Sequence, residues 1–231
     1  SAVGVLFGSR LPERTTRTIT DALGLTTLVI GALNVLALQD ADFRAAVGGG
    51  ATLLVVIGSL VVGGTAGSLL RIEERLEGAG GWLQRRFAGD GGSAGRARFI
   101  EGFVDASLIF AIGPLAILGS LSDGLGRGID QLALKSVMDG LTSIAFAASL
   151  GWGVAASAIS VGAWQGVFTV VGVVIGGVMP AAQIAAVTAT GGILLLGVGL
   201  RLLKLRPVPV GDLLPALVVA PILTELVAAL A

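Results

Sequence analysis

The sequence predicts an all-α, polytopic membrane protein of about eight transmembrane helices, the first of them truncated. Hydrophobic residues make up 54% of its 231 residues and charged residues only 13%, whereas a soluble domain usually has about 25% charged residues. The apolar residues fall in runs of about 20, the length that a helix needs to cross a bilayer. They do not alternate in segments of about 10 residues, as in a β-barrel. We therefore predict a single membrane domain over residues 1–231.

The composition also restricts the chemistry. The chain has no Cys and no His, which excludes disulfides, thiolate chemistry and the usual zinc and haem ligands. Its formal net charge is zero, so no basic surface for nucleic acid is expected. We predict no enzyme activity, no cofactor, no metal site and no nucleic-acid partner. The expected partners are the lipid bilayer and a small solute or cation.

Eight apolar stretches follow one another along the chain. The first is a stump at residues 1–9, which Arg10 and Pro12 end. The other seven cover residues 19–38, 50–70, 99–121, 129–150, 154–178, 182–203 and 213–231. Polar connections separate them, and the longest of these connections covers residues 71–98.

The distribution of basic residues predicts the orientation. Twelve of the 15 Lys and Arg residues lie in the connections after the first, third and seventh stretches or, for Arg201, at the adjoining end of the stretch. Because cytoplasmic loops are enriched in Lys and Arg, these connections are predicted to be cytoplasmic and both termini to lie outside. The twelve residues are Arg10, Arg14, Arg17, Arg71, Arg75, Arg85, Arg86, Arg96, Arg98, Arg201, Lys204 and Arg206.

The cytoplasmic segment at residues 71–98 is partly amphipathic. Apolar Ile72, Leu76, Trp82, Leu83 and Phe87 fall mostly on one helical face, and Glu and Arg residues occupy the rest. This pattern is typical of a helix that lies in the membrane interface as an anchor. The other interpretation is a regulatory or partner-binding helix.

An internal repeat relates the two ends of the chain. Gly4-Val5-Leu6-Phe7-Gly8 matches Gly172-Val173-Val174-Ile175-Gly176, and further Gly, Pro and Thr matches continue at the same offset. The offset corresponds to five spans, so the two copies cross the membrane in opposite directions. We therefore predict an inverted-topology repeat, with copies at about 1–70 and 154–231, an architecture typical of secondary transporters. The further matches pair Pro12 with Pro180, Thr20 with Thr188, Gly24 with Gly192 and Gly31 with Gly199.

The two central helices, at about residues 99–150, resemble each other over a short segment. Glu101-Gly102-Phe103-Val104-Asp105 matches Lys135-Ser136-Val137-Met138-Asp139. The first helix is predicted to enter from the cytoplasm and the second from outside. A two-fold axis in the membrane plane would therefore exchange Asp105 and Asp139.

Polar residues inside the predicted spans are the candidates for a binding site, because ionised groups in hydrocarbon pair, face a cavity or stay protonated. Lys135 and Asp139 lie one turn apart on one helix face, and Ser136 follows Lys135. The functional interpretation is a cation or proton site at Asp139, with Lys135 as a charge switch. The alternative is a structural ion pair.

Two further candidates lie in the fourth and sixth spans. Asp105 follows Glu101 by one turn near the predicted cytoplasmic mouth, where the pair has a second explanation as two hydrated acids. Gln165 falls near the middle of the sixth span. Its amide either coordinates a solute or bonds another helix.

The fourth span also contains Gly113 and Pro114, with Ser120 closer to its outer end. Pro114 removes a backbone hydrogen bond near mid-membrane, and interrupted helices at that depth coordinate ions in many transporters. A plain proline kink is the alternative. Ser120 is either a ligand of that site or a cap at the end of the span.

Gly-xxx-Gly motifs begin at Gly4, Gly63 and Gly172. Such motifs allow helices to approach closely. They predict tight packing, either within the chain or between the two copies of a homodimer.

Several short segments together form a pattern known from one family. They are Phe7-Gly8-Ser9-Arg10-Leu11-Pro12-Glu13, Gly24-Leu25 to Ile30-Gly31, Arg71-Ile72-Glu73, Glu101-Gly102-Phe103, Gly113-Pro114 to Gly119-Ser120, Asp123-Gly124, Lys135-Ser136, Asp139-Gly140 and Leu213-Leu214-Pro215-Ala216. Over nearly its whole length the chain resembles the YqgA/YdfK-like family of bacterial inner-membrane proteins, a domain of unknown function (DUF 554). The resemblance implies a bacterial inner-membrane location and a transport role without a substrate. Asp105 stands where the family more often has a small hydroxyl residue, which favours Asp139 as the ion-site residue.

The sequence as a whole predicts a secondary transporter of a small solute or ion, with alternating access around a mid-membrane polar site. The inverted repeat and the proline of the fourth span favour this function. A passive channel and a non-transporting membrane scaffold or sensor are the alternatives. An intramembrane hydrolase with two aspartates is disfavoured because the chain has no Gly-x-Gly-Asp pattern.

Overall fold

The computed structural model describes residues 1, 4, 12–87, 92–111, 114–124, 126, 128–175 and 179–230. These residues are helical almost throughout and contain no β-strand, so the predicted all-α class is confirmed. The helices are α1 (Glu13–Val35), α2 (Ala41–Val47), α3 (Ala51–Leu69), α4 (Ile72–Phe87), α5 (Gly92–Ala111), α6 (Pro114–Gly124), α7 (Asp130–Leu150), α8 (Gly153–Ile175), α9 (Ala181–Leu202), α10 (Val210–Leu213) and α11 (Ala216–Ala228).

Five helical segments in these ranges are long and apolar enough to cross a membrane. They fall on the second, third, sixth, seventh and eighth predicted spans. Helix α7, in the fifth predicted span, has 21 residues but carries the charges of Asp130, Lys135 and Asp139. The five segments are Arg17–Gln39, Ala51–Leu69, Gly153–Val170, Ala181–Leu202 and Val210–Ala228.

The described residues form two compact units. The first unit draws on residues 1–25, 74–111 and 115–178 and contains α5, α7 and α8. The second draws on residues 26–73 and 179–230 and contains α2, α3 and α9 to α11.

In the second unit, glycines bring α1 and α9 into backbone contact. A Cβ atom at Gly31 would lie 2.8 Å from the carbonyl oxygen of Gly192 and 3.0 Å from the backbone nitrogen of Leu196. A Cβ atom at Gly192 would lie 2.7 Å from the backbone nitrogen of Val35. The earlier residue of α1, Gly31, contacts the later residue of α9, Leu196, and the later residue of α1, Val35, contacts the earlier one, Gly192. The two helices therefore run antiparallel.

Helix α3 packs in the same close manner on the last part of the chain. A Cβ atom at Gly63 would lie 2.3 Å from the backbone nitrogen of Ala216, and one at Gly67 would lie 1.9 Å from the carbonyl oxygen of Asp212. The order of these contacts makes α3 and α11 antiparallel. The Gly-xxx-Gly motif at Gly63 therefore serves packing within the chain.

Basic residues in the left-handed backbone region follow α3 and α9. Arg71 has φ of 51° and Lys204 has φ of 55°, a conformation that glycine usually supplies at a helix end. After α9, the N–H of Leu205 donates to the carbonyl of Leu200 and the N–H of Lys204 to that of Arg201. These two bonds form a Schellman motif, which satisfies carbonyls that the helix end leaves open.

In the first unit, α5 and α8 run parallel. A Cβ atom at Gly153 would lie 2.0 Å from the carbonyl oxygen of Phe99, and further along both helices the hydroxyl oxygens of Ser107 and Ser160 lie 2.6 Å apart. Helix α7 is followed by Gly151, whose φ of 78° suits glycine. The side chain of Arg98 donates to the carbonyl of Ser149 in the last turn of α7.

The amphipathic segment contains α4, which packs on α5 through two glycines. A Cβ atom at Gly80 would lie 2.8 Å from the Phe103 ring, and one at Gly81 would lie 3.7 Å from Ile100. Leu83 is buried, whereas Trp82 is 57% exposed. Within the apolar face predicted for this segment, Leu83 therefore packs against protein, whereas Trp82 lies at the surface.

The fourth predicted span differs in its boundary. Helix α5 begins at Gly92 and so includes Arg96 and Arg98, whereas the apolar pattern predicted a start at Phe99. Arginine is a good helix former, so the helix extends beyond the apolar stretch. Residues 112–113 and most of the first stretch lie outside the described residues, so the predicted interruption at Pro114 and the predicted first span stay predictions.

Candidate functional site: a buried lysine–aspartate pair

Helix α7 carries the pair of charged residues that the sequence singled out. Lys135 is 6% exposed, and its Nζ donates a hydrogen bond to the Asp139 carboxylate one turn later, as expected for an i, i+4 pair. The Asp139 side chain keeps 31% of its surface exposed. The pair therefore combines a buried ammonium with a carboxylate that is still accessible.

The neighbouring face of α7 is apolar and exposed. Val137, Met138 and Leu141 are each more than half exposed, while Lys135 and Ser143 are buried. Apolar side chains on an outer face suit contact with lipid. Lys135 thus lies on the side of α7 that faces protein.

The pair lies near the middle of its helix. Asp139 follows Asp130, the first residue of α7, by nine positions, which is about 14 Å along the helix axis. Helices α7 and α8 run antiparallel, since Gly119 of α6 lies against Leu132 near the start of α7 and Gly124 lies against Thr169 near the end of α8.

Trp164 and Gln165 of α8 are about as far from the turn between α7 and α8 as Asp139 is. Counted from the turn that joins α7 to α8, Asp139 and Gln165 are each about 18–20 Å along their helices. Trp164 precedes Gln165, and its ring packs edge-on against Phe168. Its Nε1 is buried and has no hydrogen-bond partner among the described residues. A buried donor without a partner costs about 1–3 kcal/mol.

The other predicted site residues are spread over α5, α6 and α7. Ser136 is exposed. Ser120 is buried, and its hydroxyl donates to the carbonyl of Ala116 on its own helix. Asp105 is fully buried, two residues before Ser107 on α5, and Ser107 contacts α8. Gly113 lies outside the described residues, and Pro114 is described only as the first residue of α6.

A second cluster of charges, which sequence reasoning did not single out, lies in the other unit. The Glu73 carboxylate forms an ion pair with Arg201 at the end of α9 and accepts a hydrogen bond of 2.6 Å from the N–H of Gly211. The N–H of Glu73 donates to Asp212 Oδ1 at 2.9 Å. Glu73 therefore joins the residues after α3 to the end of α9 and to α10.

Glu73→Ala is expected to lower the free energy of unfolding by about 2 kcal/mol, because it removes the acceptor of a partly buried charge-assisted bond. Thermal unfolding of the purified protein measures the effect. Glu77→Ala, an exposed position one turn later on α4, is the matched control and should change stability by less than about 0.5 kcal/mol. Equal effects of the two variants would show that the Glu73 cluster does not stabilise the fold.

Neither of the two charge clusters brings together enough acidic side chains for a metal site. Among the described residues, no three Asp or Glu side chains come together as metal ligands. The ion pair of α7 has two ways to exchange its partners. A cation or proton can replace Lys135 at the Asp139 carboxylate, or an anionic group can replace Asp139 at the Lys135 ammonium.

The apolar helices and their buried charges define a helical membrane protein. Comparison with known proteins supports this class. The chain belongs to the family described as "Protein of unknown function (DUF554)", whose profile matches residues 1–225, so the predicted resemblance is confirmed. No solved structure gives a significant match.

Two curated relatives match the chain over most of its length. The "Uncharacterized membrane protein YdfK" of Bacillus subtilis (strain 168) is 28% identical over 224 residues, which cover 96% of this chain and 89% of the relative. The "Uncharacterized protein YqgA" of Escherichia coli (strain K12) is 29% identical over 218 residues, which cover 94% of this chain and 88% of the relative.

Proposed function

We propose that this protein is a secondary transporter, which carries a small solute or ion across the bacterial inner membrane by alternating access. The observation that carries the proposal is the Lys135–Asp139 pair, halfway along a 21-residue helix. Charged residues inside membrane helices are costly and mark ion or solute pathways. The Asp139 side chain keeps 31% of its surface exposed, which leaves its carboxylate open to a competing cation.

The proposal includes eight spans with an inverted repeat, basic connections in the cytoplasm and both termini outside. Helix directions support this topology. The predicted repeat relates α1 to α9 and α3 to α11 at an offset of five spans, which requires each pair to be antiparallel, as their glycine contacts indicate. Helices α5 and α8 lie in the fourth and sixth predicted spans. Two spans that are separated by one other span cross the membrane in the same direction, and the contacts of α5 and α8 indicate that they are parallel.

The buried Nε1 of Trp164 supports a solute site at the depth of Asp139. A donor without a partner in the described part of the chain is offset when a solute oxygen accepts its hydrogen bond. Gln165, the next residue, adds an amide that both donates and accepts. We therefore place the proposed solute among Asp139, Lys135 and the Trp164–Gln165 step.

Asp139→Asn is expected to abolish most of the transport. A thermal-shift screen against Na⁺, K⁺, Mg²⁺, amino acids and carboxylic acids first identifies a stabilising solute, which is then radiolabelled for uptake into proteoliposomes. Since a hydrogen bond to a charged group contributes about 1.5–3 kcal/mol, we expect the Asp139→Asn variant to lose at least about ten-fold in initial uptake.

Asp130→Asn is the matched control, because it makes the same chemical change at the exposed first residue of α7. Its uptake should equal that of the native chain. Unchanged uptake in Asp139→Asn would remove the assignment of the site. Failure of every solute in the screen, or ion conductance in planar bilayers without saturation, would contradict the transporter proposal itself.

A further inference from the structure

Two arginine side chains converge over one glycine of α4. A Cβ atom at Gly81 would lie 3.8 Å from Nη1 of Arg85 and 3.7 Å from Nη2 of Arg96. The two guanidinium nitrogens are therefore no farther apart than the sum of those distances. Arg85 belongs to α4 and Arg96 to α5, so the convergence depends on the close approach of the two helices at Gly80 and Gly81.

Both guanidinium groups are available to a ligand. Arg85 and Arg96 are exposed, and among the described residues neither makes a hydrogen bond or an ion pair. Glu77 lies one turn before Gly81 but forms no ion pair with either arginine. Two like charges at such short range repel each other, and an anion bound between them relieves that repulsion.

The surroundings of the two arginines match the surface of a membrane. Arg96 lies one turn before Phe99, where the apolar stretch of α5 begins. Ile100 reaches the same point over Gly81, at 3.7 Å. Trp82, the neighbour of Gly81, is 57% exposed, and tryptophan is enriched at the level of the lipid headgroups.

We propose that Arg85 and Arg96 bind the phosphate of an anionic phospholipid between them. Each guanidinium donates a charge-assisted hydrogen bond of about 2.8 Å to a phosphate oxygen, and one phosphate group spans the gap between the two nitrogens. Ile100 and Trp82 provide apolar contact for the glycerol and the upper acyl chain. A soluble phosphate ester gains only the first of these interactions, which is why the lipid is the favoured ligand.

The test uses the full chain, purified in a neutral detergent and titrated with phosphatidylglycerol. Binding is followed by the rise in melting temperature and by native mass spectrometry. We expect Arg85→Gln/Arg96→Gln to weaken the apparent affinity for phosphatidylglycerol by roughly thirty-fold or more, because each substitution removes a charge-assisted hydrogen bond to the phosphate. The melting temperature without lipid should not fall, because neither side chain has a partner to lose among the described residues.

Two further variants separate a defined site from general attraction. Arg75→Gln/Arg206→Gln removes the same charge at two exposed positions and should retain the native affinity. Arg85→Lys/Arg96→Lys keeps the charge but removes the planar fork that bridges phosphate, and it should lose at least half of the stabilisation by lipid.

Four results would overturn the proposal. They are equal stabilisation by phosphatidylcholine, equal stabilisation by glycerol 3-phosphate, an equal loss in the Arg75→Gln/Arg206→Gln control, and native affinity in the double lysine variant. The second result would point to a soluble phosphate ligand, and the last two would indicate diffuse electrostatic attraction only.

Discussion

Asp139→Ala is expected to lower the free energy of unfolding by about 3 kcal/mol. The substitution leaves the Lys135 ammonium buried without its carboxylate acceptor, and breaking one partner of a buried ion pair typically costs about 3–5 kcal/mol. The lower end applies because the Asp139 side chain keeps 31% of its surface exposed. Reversible unfolding in mixed micelles measures the difference.

A double variant provides the control for this expectation. Lys135→Met/Asp139→Leu removes both charges and should recover most of the lost stability, since replacing a buried pair by apolar residues is often neutral. The coupling energy follows from the double-mutant cycle. A double variant as unstable as Asp139→Ala would contradict a buried pair. If the double variant is stable yet inactive in uptake, the pair serves transport rather than the fold.

Gly67→Ala is expected to destabilise the protein by about 3 kcal/mol or more. The new Cβ atom would lie 1.9 Å from the carbonyl oxygen of Asp212, and a backbone atom cannot move aside by changing rotamer. Overpacking a close contact typically costs about 1–3 kcal/mol. The distance at Gly67 is so short that we expect a cost at or above the upper value. The melting temperature in detergent gives the comparison with the native chain.

Gly166→Ala is the matched control for this second expectation. Gly166 also lies within one of the five segments that are long and apolar enough to cross a membrane, one turn after Gly162. Among the described residues, no atom outside the adjoining backbone of α8 lies within 4 Å of a Cβ added at either glycine. Alanine is the better helix former by about 1 kcal/mol, so Gly166→Ala should be neutral or stabilising. A loss as large as that of Gly67→Ala would show that this face of α8 is covered by a partner, as in the predicted homodimer.

The transmembrane helices could be predicted because hydrocarbon leaves the backbone few choices. Every N–H and C=O in lipid needs an internal partner, so an apolar run of about 20 residues becomes a helix. The runs therefore located α3, α9 and α8 to within a few residues. Helix α5, in contrast, begins at Gly92, seven residues before the predicted start of the fourth span at Phe99. Apolarity marks where lipid begins and says nothing of where the helical hydrogen bonds begin.

The site was predictable only where its chemistry is local. Lys135 and Asp139 are four residues apart, so helix geometry alone brings them together. Glu73 and Arg201 are distant in sequence and meet only because the start of α4, the end of α9 and α10 lie together. A weak signal for that cluster existed, since both residues lie at the ends of apolar stretches where a charge needs a partner.

Arg71 and Lys204 have a consequence for how the protein responds to the thickness of its membrane. Each of these charged residues has a left-handed backbone and lies just after the end of its helix, α3 or α9. Neither helix can therefore move further into hydrocarbon without desolvating that charge or unwinding a turn. A thicker or thinner bilayer must then be met by tilting or by deformation of the lipid. The proposed solute uptake, measured in lipids of graded acyl length, should therefore pass through an optimum rather than remain flat.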